Sequence, residues 1–417
     1  MKIFFDTLGC KINQYETQAL REQFLSAGAE VAQDPGSADY YLLNTCVVTE
    51  TAEKASLHKI RKVLREHPGV KIVMTGCLAE LPLKAKELER VRLIVKNEEK
   101  KNLVRALGLT GVKKELEVSG LAGHKRSFLK IEDGCENACA YCIVPFTRGK
   151  IKSRPLSEVV EEARRLSANG YAEIVLTGIN LGAYGLEQGK KNGLLEVLKS
   201  LLKIKELGRL RLSSLEPEYV TPELLALIGE SGGRICAHLH IPLQAGDNAI
   251  LKAMNRRYGL EEYAAKLEGA RHKIKDLSLT TDIIVGFPGE TEKLFENSLE
   301  FMKQCGFLKV HVFSYSDRTG TQAALLKEKV PEAEKERRYK KMLGASEIVG
   351  KEFIKKFTGK ELDILVEGIK ERKNKTLRGF SGNYIKVVLK NGLETDPGKI
   401  VRVRLEKVEK ENYGVKI

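Results

Sequence analysis

The stretch KIFFDTLGCKINQYETQALREQFLSAG, residues 2–28, decides how the chain is read. KIFFDTLGC is a short apolar run that suits a buried strand. NQYETQALREQFLSAG carries apolar residues at helical spacing and closes on a glycine. Cys10 stands where the strand gives way to the helix. The same succession returns twice. YYLLNTC (40–46) leads into EKASLHKIRKVLREHPG (53–69), and KIVMTGC (71–77) leads into LAELPLKAKELERV (78–91). Strands alternating with helices imply a Rossmann-like parallel α/β domain over residues 1–112. In an open parallel sheet the carboxyl ends of the strands share one edge, where ligands sit. Cys10, Cys46 and Cys77 are therefore expected to converge there.

Residues 111–126 read as a linker, with glycines and a basic GHKR. Six further strand candidates follow: SFLKIEDGC (127–135), EIVLTGIN (173–180), RLRLSSLEP (209–217), AHLHIPLQ (237–244), LTTDIIVGFPGE (279–290) and KVHVFSYSD (309–317). Helical patterns fall at 157–169, 194–205, 222–230, 261–275 and 290–304. This alternation predicts a partial (β/α)6 barrel within a domain of residues 121–352, with chemistry at the strands' carboxyl ends. From about residue 359 the texture changes to ELDILVEG, TLRGFSG, NYIKVVLKNG, IVRVRLEKV and NYGVKI. Such short strands and turns predict a small all-β barrel in a C-terminal domain of residues 353–417.

The 417 residues carry a net charge of +15, which points to a polyanionic partner, nucleic acid first. No apolar run reaches the length of a membrane span, and the N-terminus lacks the pattern of a signal peptide, so a cytoplasmic protein is expected. In such a chain the eight cysteines argue for metal or redox chemistry rather than a disulfide framework. Cys236 and Cys305 lie in apolar surroundings and read as core residues.

The remaining three sit in GCENACAYCIVP (134–145), where Cys135, Cys139 and Cys142 are spaced CxxxCxxC. A structural zinc site would want four closed ligands, so a zinc reading needs a distant fourth. Three thiolates on a four-iron cubane leave one iron open to an exogenous ligand, as catalysis requires.

CENACAYC resembles the radical S-adenosylmethionine signature. TLGCKINQYET, LNTC, TGC, IVPFTRGKIKSRP, LTGINLGAYG, PLQAGDNAILKAMNRRY, TDIIVGFPGET and VFSYSDRTGT, in that order, resemble the methylthiotransferases along essentially the whole chain. The resemblance implies a radical barrel and a C-terminal barrel of the RNA-binding TRAM type. It implies two [4Fe-4S] clusters and S-adenosyl-L-methionine as cofactors. Cys135, Cys139 and Cys142 would hold the cluster that binds S-adenosylmethionine, and Cys10, Cys46 and Cys77 a second one. Tyr141, Gly178, Asn180, Ser213, Glu216 and Gln244 would contact the cofactor. Arg148 and Arg154, in a basic run with Lys150 and Lys152, would reach RNA phosphates. Lys375, Arg378 and Phe380, with Tyr384, would hold single-stranded RNA by charge and stacking. His238 and His240 alternate on one strand and read as barrel lining.

GCKINQYET is most similar to the branch acting on threonylcarbamoyladenosine. The implied reaction is methylthiolation of carbon 2 of that base at position 37 in the tRNA anticodon loop, with an electron donor such as flavodoxin or ferredoxin and a separate sulfur donor. The alternatives are isopentenyladenosine in tRNA, a ribosomal-protein aspartate, or a metal-bearing RNA-binding protein without catalysis.

Overall fold

A computed structural model describes residues 1–82, 86–111, 115–371, 376–389, 397–409 and 411–417. It divides into two compact units. The first gathers Met1–Ala122, Asp133–Ile151 and Ser316–Ala324; the second gathers Gly123–Glu132, Lys152–Tyr315 and Leu325–Ile417.

The first unit is built on five parallel strands, β1 (Lys2–Thr7), β2 (Glu30–Val31), β3 (Tyr40–Thr45), β4 (Lys71–Gly76) and β5 (Leu93–Ile94), in the order β2-β1-β3-β4-β5. Helices α1 (Lys11–Ser26) and α2 (Glu50–Glu66) cover opposite faces. Side chains alternate across the pleat. Ile3, Leu42 and Val73 therefore meet Leu20 and Phe24 of α1. Tyr41, Leu43, Ile72 and Met74 meet Ile60 and Val63 of α2. Coverage on both faces explains why β3 and β4 read as continuous apolar runs. The strand order reverses between β1 and β3, and in open sheets that reversal opens the ligand crevice.

The second unit opens with six parallel strands taken in chain order: Ser127–Lys130, Glu173–Thr177, Arg209–Leu212, His238–His240, Ser278–Val285 and Lys309–Ser314. Two three-stranded sheets are joined by single bridges, Leu210 to Ile235 and Ser214 to His240. Helices Leu156–Ala168, Gly193–Leu201, Pro222–Glu230, Leu260–Lys273 and Glu292–Cys305 lie between them, as the periodicity predicts. This is a partial (β/α)6 barrel. A 24-residue helix, Glu332–Lys355, leads to a closed five-stranded barrel filled by Ile364, Val366, Leu377, Ile385, Val387 and Leu405.

One buried carboxylate holds the small barrel in this unit. Glu173 is fully buried and accepts from Arg126 at 3.2 Å, Arg209 at 2.6 Å and Arg211 at 2.7 Å. Arg209 and Arg211 also donate to carbonyls of the small barrel, those of Asp363, Phe380, Ser381 and Gly382, at 2.9–3.0 Å. Burial alone would raise the Glu173 pKa, but the three guanidiniums outweigh it and hold the carboxyl well below the usual range. A depressed folded pKa stabilises fully above the ordinary carboxylate value of about 4.3, and the gain declines only as pH falls toward the folded value. Glu173→Gln leaves buried cations uncompensated. It should cost about 3–5 kcal/mol in urea unfolding at neutral pH and make the small barrel protease-sensitive, with the deficit shrinking below pH 4.

Candidate functional site

Both cysteine triplets lie in the first unit. Cys10 caps the N-terminus of α1, Cys46 follows β3 directly, and Cys77 follows β4 directly. The three strand ends are tied by side chains that the sequence reading passed over. Asn13, fully buried, donates to the carbonyls of Leu8 at 2.7 Å and Thr45 at 2.8 Å, pinning the Cys10 and Cys46 loops together. Thr45 donates to the Thr75 carbonyl at 2.6 Å and accepts from the Leu78 amide at 3.1 Å, adding the Cys77 loop. Gly9 has φ of +100°, and a Cβ there would sit 2.7 Å from Cys46 Cβ and 2.8 Å from its sulfur.

The three sulfurs feel one another. Burial pushes the Cys46 thiol up to about 11; Cys77 and Cys10 push in the same direction, while the Val48 amide and the Arg148 charge oppose them. Burial pushes the Cys10 thiol up as well, and a bound metal would take the charge of the thiolates. Among the described residues no three cysteine, histidine or carboxylate side chains are gathered closely enough to hold a metal ion as they stand; three thiols are the donor types that a cluster with one open iron would use.

The second triplet lies on a loop closed by Cys135 N–H to the Gly149 carbonyl and by Cys142 N–H to the Cys139 carbonyl, each 3.0 Å. Gly134 has φ of +84°, and a Cβ there would be 2.0 Å from the Lys150 carbonyl, so only glycine fits. Cys135, Cys139 and Cys142 are each partly exposed, as is Tyr141 between the last two. The loop runs into a short helix, Val144–Arg148.

Arg148 corrects an expectation. Its side chain is 1 % exposed and does not face solvent as a phosphate contact would require. It donates to Glu16 at 2.7 Å, to Asp133 at 3.1 Å and to Asn13 Oδ1. Glu16, itself buried, also pairs with Lys100. Burial would lower the Arg148 pKa, but Glu16, Asp133 and the sulfurs of Cys77 and Cys10 outweigh it and keep the guanidinium charged. Arg154 is likewise engaged, by Glu162 at 2.8 Å and the Lys130 carbonyl at 2.8 Å. The segment Ser316–Ala324 completes the unit. Arg318 donates to the Val47 carbonyl at 3.1 Å and to Glu53 at 2.7 Å, and Ala323 N–H donates to the Ala140 carbonyl at 2.8 Å.

In the second unit the other candidates line the barrel's carboxyl edge. Gly178 lies against Glu132, whose carboxylate would be 2.0 Å from any added Cβ. Glu132 accepts from the Asn180 amide N–H at 2.6 Å. Asn180 is 3 % and Ser213 8 % exposed, and the side-chain amide of the one and the hydroxyl of the other are buried with no hydrogen-bond partner among the described residues. Leaving such groups unpaired costs about 1–3 kcal/mol each, and a polar cofactor would satisfy them. Glu216 pairs with Arg256 of MNRRY; burial still raises its pKa. Gln244 holds φ of +69°, a strained value for a residue with a side chain. His238 and His240 share the Thr280 hydroxyl at 3.0 and 2.9 Å, and His240 also meets Asp282 at 3.2 Å, so they line the barrel as expected.

The RNA candidates of the small barrel divide. Arg378 is exposed, and Lys375 lies outside the described residues. Phe380 is not an open stacking platform, which corrects that expectation. The Arg126 guanidinium lies 5.0 Å from its ring centre and Tyr384 5.1 Å. Tyr384 in turn meets His238 at 4.7 Å and Arg211 at 4.4 Å. These aromatics dock the small barrel.

Residues 129–302 match the Radical SAM superfamily, and residues 2–96 match the Uncharacterized protein family UPF0004. The chain is 37% identical to the threonylcarbamoyladenosine tRNA methylthiotransferase MtaB of Bacillus subtilis, over 97% of this chain and 94% of that protein. It is 36% identical to the tRNA-2-methylthio-N(6)-dimethylallyladenosine synthase of Carboxydothermus hydrogenoformans, over 96% and 95%. Among solved structures, the radical S-adenosylmethionine methyltransferase TsrM of Kitasatospora setae superposes with a TM-score of 0.56 over 78% of this chain and 77% of that one, at 14% identity, a likeness of fold.

Gly9→Ala tests the first triplet. The added methyl forces Cys46 aside in a backbone conformation costing about 1–3 kcal/mol. After anaerobic reconstitution the variant should hold about half the iron of the unaltered protein, on the basis of two four-iron clusters of which one is lost.

Proposed function

The chain belongs to the tRNA methylthiotransferase family of radical S-adenosylmethionine enzymes, and from that premise we propose that its substrate is the N6-threonylcarbamoyladenosine at position 37 of tRNA. The product is the 2-methylthio derivative. The observation that carries this reading is the pair of cysteine triplets in one compact unit, in a chain whose relatives bear that name.

Cys135, Cys139 and Cys142 would hold the cluster that takes S-adenosylmethionine; Cys10, Cys46 and Cys77 would hold the second. When bound, these groups supply radical chemistry at an unactivated C–H bond and the sulfur to be inserted. The protein's part is placement. Gly134 lets the loop pass close to the Lys150 carbonyl, where no side chain would fit. Asn180 and Ser213 offer unspent donors and acceptors to the cofactor. Tyr141 offers a ring to the adenine, and Gln244 a polar group held in a strained position. An anticodon-loop base is single-stranded and can be splayed into a site without breaking a duplex. Exposed Arg378 is suited to phosphate. A small electron carrier and a sulfur donor complete the reaction. Among the described residues no helix is long and apolar enough to cross a membrane.

Mass spectrometry of tRNA nucleosides from cells with and without the gene tests the substrate. The 2-methylthio form of threonylcarbamoyladenosine should vanish without it, leaving threonylcarbamoyladenosine itself. Purified enzyme should turn over isopentenyl-bearing tRNA poorly, since polar groups built to meet the threonyl moiety would go unpaired; equal turnover of the two would overturn the assignment. The triplets should also separate. Replacing Cys10, Cys46 and Cys77 by Ala should leave 5′-deoxyadenosine release under dithionite and abolish the methylthio product, whereas replacing Cys135, Cys139 and Cys142 should abolish both. For the small barrel, Arg378→Glu should weaken tRNA binding and reduce the salt slope by about 1, because one phosphate contact is lost.

A further inference from the structure

We propose that Arg148 and Arg318 are positioning residues that fix the separation of the two iron–sulfur clusters, by bracing the Cys135–Cys142 loop against the sheet edge carrying Cys10, Cys46 and Cys77. This rests on the reading that each triplet holds a cluster. The geometry stands on its own.

Arg148 ends the helix that follows Cys142, yet all its acceptors but Asp133 belong to α1. Its contact with Asn13 matters most, because Asn13 is the side chain that joins the Cys10 and Cys46 loops. The path from one triplet to the other is thus a guanidinium, an amide and two backbone carbonyls. Arg318 makes a second path from elsewhere in the chain. It grips the carbonyl of Val47, beside Cys46, and the Glu53 carboxylate with both terminal nitrogens, at 2.7 and 3.0 Å. Five residues on, Ala323 binds the carbonyl of Ala140, between Cys139 and Cys142. The turn between them is closed by Thr321, whose hydroxyl donates to the Arg318 carbonyl at 2.8 Å.

A guanidinium is a planar fork with donors in fixed directions, so several acceptors together fix its orientation. A buried ion pair is weak evidence for net stability, since desolvation offsets the attraction; its firmer consequence is geometric. Chemistry divided between two centres needs both within reach of one substrate, and misplacement by about 1 Å can cost about a hundredfold.

The test uses full-length protein reconstituted with iron and sulfide, both clusters reduced to their paramagnetic state. Magnetic dipolar coupling between them, read by electron paramagnetic resonance, falls with the cube of their distance. The unaltered protein should hold about eight irons and give one well-defined coupling. The Arg148→Gln/Arg318→Gln double variant should keep that iron and show a broadened distribution of couplings. Its methylthio product should fall at least about tenfold while 5′-deoxyadenosine release stays within about twofold. Arg148→Lys alone, which keeps a cation for Glu16 but not the fork, should lie between. Full iron with an unchanged coupling in the double variant would overturn the proposal and leave the two-cluster reading intact. Loss of iron from the N-terminal triplet in Arg148→Lys would also overturn it, because the residue would then build the ligand set rather than space it. About four irons in the unaltered protein would overturn the two-cluster reading, and this proposal with it.

Discussion

A buried guanidinium must find acceptors for its donors, and the first unit is arranged around that demand at Arg148. Glu16, Asp133 and Asn13 converge on it from α1 and from the start of the cysteine loop. Lys100 balances the second oxygen of Glu16, and Asn97 joins Lys100 at 2.9 Å to the Thr147 carbonyl at 2.8 Å. Any shift of the short helix Val144–Arg148 would therefore leave several charged or polar groups buried and unmatched. That penalty adds to the apolar packing of Ile143 against Val47, Cys77 and Leu78, and together they hold the Cys135 loop in register with the strand ends.

Much of the architecture was legible because it rests on local periodicity. Strand and helix patterns alternate in chain order, although after β4 the described residues form two short 3-10 turns, Cys77–Glu80 and Lys86–Arg90, where a helix is expected; cysteines at the ends of three parallel strands share one edge of the sheet. The glycines before Cys10, Cys77 and Cys135 were visible as letters, but their necessity comes from backbone and side chains elsewhere. What the sequence concealed was the partnership of charges. The basic run around Arg148 looks like a solvated face because Glu16 lies 132 residues away. Arg209 and Arg211 looked like strand residues with polar tips, and nothing nearby announced Glu173. Phe380 and Tyr384 resembled a stacking surface because aromatics mixed with cations are how such surfaces are built; here the cations belong to the partial barrel. The motif GCKINQYET was read for substrate choice, yet Asn13 and Glu16 within it are buried and engaged in holding a loop.

The buried charge clusters around Glu173 and Arg148 do different work with the same chemistry. Around Glu173, one carboxylate serves three arginines, and the spare donors reach backbone carbonyls of the small barrel. Carbonyl acceptors accept many side-chain sequences, so the surface of that barrel can vary without loosening its attachment. Around Arg148 the acceptors are specific side chains, and little can change. The tolerant joint belongs to the barrel expected to meet RNA, and the intolerant one belongs to the cysteine loops.

The first unit is assembled from three separated stretches, the last of which ends at Ala324. A ribosome delivers the chain from its N-terminus, so the strand ends bearing Cys10, Cys46 and Cys77 emerge long before Arg318 can reach Val47 and Glu53. The thiols of a nascent chain thus wait, without their final brace, through the synthesis of nearly the whole partial barrel. Metal loading that depended on the finished cradle would wait until about three quarters of the chain had been made, after the strands of the partial barrel, and would be tied to completion of the fold.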